Sequence, residues 1–231
     1  MSAQASRRRP QGGPPPLAPA LAYGGLIVAA AAIAAGGPWP GSTATAALGY
    51  ARGHAGLLQA QAFLMFAAAV PLAIWAATIY RRLLTLGVTA PGAVIGLSGG
   101  ILAAAATAVC GLVTWTLAQT AAVADPALAR LLVDFGFAAG TAGAVVPLSL
   151  LIAGLAVPSL ILRLTPRWLA WSGLVLAATG MLCTLTLLVP ALNPALAVAQ
   201  FGAVAWLVAM SVRLPATRHE LRASPAVPAA A

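Results

Sequence analysis

Lysine is absent from this chain, and acids nearly so. Three acidic side chains and two histidines are the whole supply of carboxylates and imidazoles in 231 residues. That scarcity excludes much chemistry. A dinuclear carboxylate centre needs several Glu or Asp on facing helices. A haem between helices needs axial His or Met at buried depth, yet His54 and His219 lie outside the apolar stretches. No Cys/His cluster has zinc-ligand spacing, and no G-x-S-x-G elbow or phosphate-binding glycine loop occurs. The residues therefore imply no cofactor, no metal and no enzyme. Cys110 and Cys183 both fall in apolar runs and read as buried small hydrophobes rather than a disulfide.

Charge is equally scarce. Charged residues make up 6% of the chain and apolar ones 61%, against about 25% charged in a soluble domain. Such a chain cannot cover a globular surface. Six apolar stretches stand out instead, over residues 17–37, 57–80, 93–123, 126–162, 168–189 and 195–214. About 20 apolar residues suffice to cross a hydrocarbon core about 30 Å thick. The fold expected is all-α, one polytopic bundle of six transmembrane helices over residues 17–214. Residues 1–16 and 215–231 are rich in Pro, Gly, Ala or Arg and should be disordered.

Arginine then fixes the topology. Arg7, Arg8, Arg9, Arg81, Arg82, Arg163, Arg167, Arg213, Arg218 and Arg222 share one face of the six-span plan, while only Arg52 and Arg130 lie on the other. Cytoplasmic loops carry the excess of Lys and Arg, so both termini are expected inside. The net charge of +9 is spread over span ends rather than along one groove-facing element, which argues against nucleic acid and for anionic lipid headgroups at the inner face. A second reading of the start is open. Arg7–Arg9 before an apolar core, with small residues at Ala34 and Ala35, also resembles a secretory signal peptide. Cleavage there would leave five spans. The abundance of Ala, Gly, Pro and Arg suggests a GC-rich bacterial genome, an inference from codons rather than from protein physics.

Punctuation along the chain is clear. Pro38, Pro40 and Gly41 break the segment after the first span, and Ser42 or Thr43 could cap a short surface helix. Pro71 should kink the second span, and Pro147 and Pro158 the fourth. Gly87, Pro91 and Gly92 form a breaker cluster. The third and fourth runs exceed 30 residues, or about 46 Å of helix, so they tilt or project beyond the hydrocarbon. Asp125-Pro126 reads as the N-cap and first turn of the fourth helix. Gly96/Gly100 and Gly136/Gly140 match G-x-x-x-G, read here as close packing within the chain, with a homodimer face as the alternative.

Asp134 is the leading candidate for function, since an ionisable group in an apolar helix is functional by default. Arg130 lies one turn earlier, so an interfacial i,i+4 ion pair is the simpler reading. With Arg52, His54, Gln59, Gln61, Gln119 and Asp125, this pair gathers polarity on the extracytoplasmic side, either as a shallow ligand site or as ordinary interfacial polarity. Gln200, two turns into the sixth span, can hydrogen-bond a neighbouring helix. The function expected is a non-enzymatic membrane protein with an interaction, regulatory or envelope role. The alternative is a small permease or channel with its polar site around Asp134. A homo-oligomer or a membrane-protein partner fits either.

The turn Arg163-Leu164-Thr165-Pro166-Arg167, followed by Trp168 and Trp171, places indoles and guanidinium groups at interface depth, with Arg81 and Arg82 as further anchors. The stretch from Gly154 to Gly173, with the Pro-Arg-Trp-Leu turn at its centre, resembles bacterial membrane proteins grouped as domain of unknown function 4386. So does Pro71 to Leu83. The likeness spans roughly residues 57–214. It implies a compact bundle of about six helices in the bacterial cytoplasmic membrane, and it brings no catalytic residues.

Overall fold

Proline, glycine and capping side chains set the helix ends in a computed structural model that describes residues 15–215. The basic N-terminal segment with Arg7, Arg8 and Arg9, and the tail with Arg218, His219 and Arg222, lie outside the described residues. Eight α-helices are described: α1 (Leu17–Ala34), α2 (Ala44–Gly53), α3 (Ala55–Thr85), α4 (Gly92–Thr120), α5 (Pro126–Gly140), α6 (Ala142–Ile161), α7 (Arg167–Leu182) and α8 (Asn193–Arg213). Two 3-10 turns, Cys183–Leu187 and Pro190–Leu192, join α7 to α8. Six spans are long and apolar enough to cross a membrane, with α5 and α6 together supplying the fourth. The fold is all-α, a polytopic transmembrane bundle of six helices.

Thr43 caps α2, its hydroxyl accepting from the Ala46 N–H at 3.2 Å. That short helix follows the breakers Pro38, Pro40 and Gly41, as the sequence suggests. Gly87 ends α3 in the left-handed region at φ 87°. The Val88 N–H then reaches back to Leu83 O at 3.0 Å, and the Val88 side chain is buried. This is the Schellman closure that glycine makes easy. The same closure ends α6, where Leu164 N–H reaches Ser159 O at 3.0 Å. There the left-handed position belongs to Arg163, at φ 52°, which an L-residue adopts only at a cost of about 1 kcal/mol.

The fourth span, expected as one long helix, is divided into α5 and α6. Pro147 and Pro158 lie inside α6 without ending it, as Pro71 lies inside α3. The break falls at Thr141, with φ −106° and ψ −93°. Thr141 is flanked by Gly140 and Gly143, and its hydroxyl satisfies Phe137 O at 2.6 Å. The fifth span also tightens early, passing from α-helix to 3-10 geometry after Leu182.

The six spans close a ring in the order α1, α3, α4, α6, α7, α8 and back to α1. An even number of spans puts both described ends together: Ser211 Oγ lies 3.4 Å from Pro16 O, and Arg82 Nη1 donates to Leu214 O at 3.1 Å. We call this the arginine end, because Arg81, Arg163, Arg167 and Arg213 are exposed there. Trp168 and Trp171 are exposed beside them, at 59% and 57%. Fully buried Tyr23, Leu72, Trp75, Leu148, Leu151, Leu155, Leu207 and Met210 share one core that draws on α1, α3, α6 and α8.

Small residues let the helices approach. A Cβ on Gly99 would sit 2.6 Å from Leu151 N and Pro147 O, and one on Gly154 would sit 2.5 Å from Gly92 O. Helices α4 and α6 thus cross backbone to backbone, the packing expected where lipid removes any hydrophobic drive between helices. Gly140 packs on Cys110 and Gly100 on Ala76, so both G-x-x-x-G matches contribute to contacts within the chain. The buried indoles keep their N–H groups bonded. Trp75 Nε1 donates to Ser211 Oγ at 2.7 Å, and Trp206 Nε1 donates to Leu169 O at 2.9 Å.

The opposite end carries a cap. Helix α2, the first turns of α3, the last turns of α4, and α5 enclose a second apolar cluster of Leu48, Ala51, Leu58, Leu117, Ala118, Ala121, Ala124 and Ala129.

Candidate functional site

The ionisable candidates of the sequence, Asp125, Arg130, Asp134, Arg52 and His54, all fall in the cap, and each is held by a structural partner. Asp125 is extended at φ −81° and ψ 164°, directly before Pro126. Its Oδ1 accepts from the Leu128 N–H at 2.7 Å. It therefore serves as the N-cap of α5, which offsets one orphan donor and meets the positive end of the helix dipole.

Arg130 and Asp134 form the i,i+4 pair. Arg130 Nε donates to Asp134 Oδ2 at 2.6 Å. Arg130 Nη1 also donates to the Ser42 carbonyl in the segment before α2. One guanidinium thus ties α5 to itself and to the chain leaving α1. Asp134 Oδ1 is buried and lacks a hydrogen-bond partner. Trp39 stacks at a tilt on Phe137, ring centres 6.5 Å apart, and pins the same segment.

Arg52 stands in the last turn of α2. Its Nε donates to Ala121 O at 2.9 Å and its Nη2 to Ala124 O at 3.4 Å. A cation on the unpaired carbonyls past a helix C-terminus is favoured by the helix dipole, so Arg52 clamps α2 onto the end of α4. His54 sits between α2 and α3 with its ring stacked on Tyr50, 4.4 Å between centres. Its Nδ1 lies 3.2 Å from Tyr50 O. A carbonyl only accepts, so Nδ1 carries the proton in this contact.

The cap therefore brings Arg130, Asp134 and Ser42 into one cluster, and Arg52 into another with Ala121 and Ala124. Gln200 joins neither. It donates from Nε2 to the Tyr23 hydroxyl at 2.9 Å, linking α8 to α1. Its Oε1 is buried without a partner. Gln59 and Gln119 are exposed. A cleft of about 470 Å³ opens beside Arg52, Ala55, Ala118, Gln119, Ala121 and Ala122. That size suits a small molecule, but the cleft is open and mostly alanine-lined, and its one charged group is already bonded to two carbonyls. Among the described residues no group of three metal-capable side chains gathers.

Sequence reasoning missed two partners and one helix break. The Ser42 carbonyl is a backbone group and leaves no sequence signal. Tyr23 as the partner of Gln200 follows from the antiparallel closure of α1 on α8, which periodicity does not reveal. The break at Thr141 was readable, because Gly140-Thr141-Ala142-Gly143 interrupts the run with two glycines around a β-branched residue. No protein-family model matches this chain, and no curated protein and no solved structure proves similar to it.

Proposed function

We propose that this chain is a non-enzymatic, multi-pass protein of a bacterial cytoplasmic membrane, with the arginine end inside and the cap outside. Its working surface is the cap, and its role is to contact another membrane or envelope component. The observation that carries this reading is the use made of the polar groups. Asp125, Arg52 and Arg130 with Asp134 are each committed to holding the cap together. The bundle interior is filled by Trp75, Tyr23, Leu151, Leu207 and Met210. Among the described residues, this leaves neither a reacting pair nor a polar path for chemistry or conduction. The exposed Arg81, Arg163, Arg167 and Arg213 suit anionic headgroups, and Trp168 and Trp171 suit the interface beside them. The proposed kinship with domain of unknown function 4386 proteins fits the same picture and adds no activity.

Topology is tested by single cysteines at Ala122 and Thr89, exposed positions at opposite ends of the bundle. An impermeant maleimide on intact cells should label A122C and leave T89C unlabelled until lysis. The reverse pattern would overturn the orientation. A small permease is the second reading, and the partnerless Asp134 Oδ1 favours it. Proteoliposomes carrying a pH-sensitive dye would show a proton leak abolished by Asp134→Asn under that reading, and no leak under ours.

A further inference from the structure

Helix α5 exposes an apolar stripe that no described residue covers. Leu128, Leu131 and Phe135 are 41%, 63% and 52% exposed, at i, i+3 and i+7. The opposite side of α5 is occupied: Ala129 and Gly136 are buried, and Gly136 faces Val113 and Thr114 of α4. No charge breaks the stripe, because Arg130 is turned to Asp134 and Ser42.

Height decides what the stripe meets. Gly180 packs on Ser149, and Gly92 packs on Pro158. Because α6 runs antiparallel to both neighbours, Trp171, Pro158 and Gly92 stand at one level. From residue 92 to residue 115, α4 rises about 34 Å. The exposed Trp171 and the exposed Trp115 therefore bracket a hydrocarbon core of about 30 Å, each indole just beyond its edge. At the cap end, Gly140 packs on Cys110 and Gly136 on Val113, so Phe135 stands level with Trp115. Leu131 is one turn higher, about 6 Å, and Leu128 about 10 Å. The headgroup layer on each side is about 5–8 Å deep. The base of the stripe thus stands at the height where the exposed residues of α4, Leu102, Val109, Leu112 and Trp115, reach the cap end.

From this we infer that α5 is a lipid-seated helix: Phe135 and Leu131 lie in the headgroup layer of the cap-end leaflet, and the cap rests on the bilayer rather than standing in water. The occupant is bilayer lipid, chosen by the height of the stripe against the Trp115 level and by its lack of charge. The inference rests on the six-span reading of the bundle and not on which end is inside.

Single cysteines at Phe135, Leu131, Ala122 and Leu102, in nanodiscs holding one copy each, test it with a hydrophilic maleimide. The wild-type protein, whose Cys110 and Cys183 are buried, supplies the background. L131C and F135C should label about tenfold or more slowly than A122C, because a thiol held in the headgroup layer is withdrawn from a reagent confined to water. An environment-sensitive dye on L131C should be quenched by brominated lipid. Labelling of L131C as fast as A122C, with L102C protected, would overturn the seat and leave the spans intact. Fast labelling of L102C as well would overturn the membrane reading itself. Protection of L131C only in densely packed proteoliposomes, and not in single-copy discs, would make a second copy the occupant and overturn lipid.

Discussion

Cap and ring are built from different materials. In the ring, glycine and alanine bring backbones together, and large apolar side chains fill the interior. Gly99 lies against Leu151 and Pro147, and Gly173 lies under the Trp206 ring, where a Cβ would come within 2.7 Å of three indole atoms. Two of the polar bonds between the spans, Trp75 to Ser211 and Trp206 to Leu169, are buried. In the cap, alanines make a thin apolar cluster, and charged groups fasten the elements by reaching for carbonyls. Arg52 clamps α2 to α4, and Arg130 clamps α5 to the segment after α1. The two arginines that lie against the positive-inside pattern are the two that the cap consumes. The difference follows from the solvent. Lipid tails penalise any unbonded polar group and reward close packing, while the cap lies at the level of polar headgroups and their water and can use charge.

The ring should break by steric overlap before anything else. Gly154→Leu would drive a side chain into the backbone of Gly92 and Gly96, costing about 3 kcal/mol or more. Loss of the folded peak in detergent gel filtration, or a large fall in the melting temperature, checks it. Next comes the enclosed bond between Trp75 and Ser211. Ser211→Ala leaves a buried indole N–H without an acceptor, at a cost of about 1–2 kcal/mol. In unfolding titrations, Trp75→Phe with Ser211→Ala together should cost less than the two singles added.

Cap changes should be smaller and local. Asp125→Ala removes the α5 N-cap and should cost about 1 kcal/mol, read as faster amide exchange over the first turn of α5 with the ring unchanged. Smallest of all is Asp134→Asn. A half-exposed i,i+4 pair contributes about 0.3–0.5 kcal/mol, and the difference should shrink further in high salt. A global fall in stability from either cap variant would mean that the two regions are one cooperative unit.

Legibility in the sequence followed the same division. The six spans, the Asp125 cap, the Thr43 cap and the Arg130–Asp134 pair all depend on neighbours within a few residues, so spacing revealed them. The fourth span shows the limit. Proline is the strongest local breaker, yet Pro147 and Pro158 are absorbed into α6 while Thr141 breaks the helix. A missing N–H inside a packed bundle is tolerated when neighbours satisfy the freed carbonyl, and that depends on tertiary context. Gln200 with Tyr23, Trp75 with Ser211, and Arg52 with Ala121 pair residues more than 60 positions apart. They arise from ring closure and left no trace in the chain's periodicity. The polar cluster of the cap was visible as a gathering of residue types, but its use was not, because its two arginines bond three backbone carbonyls, those of Ser42, Ala121 and Ala124.

Amide hydrogen exchange of Arg52→Ala in lipid nanodiscs tests the central claim, that the ionisable groups of the cap hold structure instead of serving a site. The account predicts faster exchange confined to α2 and the α4–α5 turn, with α1, α6, α7 and α8 as in the wild type. Unchanged exchange in the cap would contradict it, by showing that Arg52 carries no structural role and stands available for a ligand.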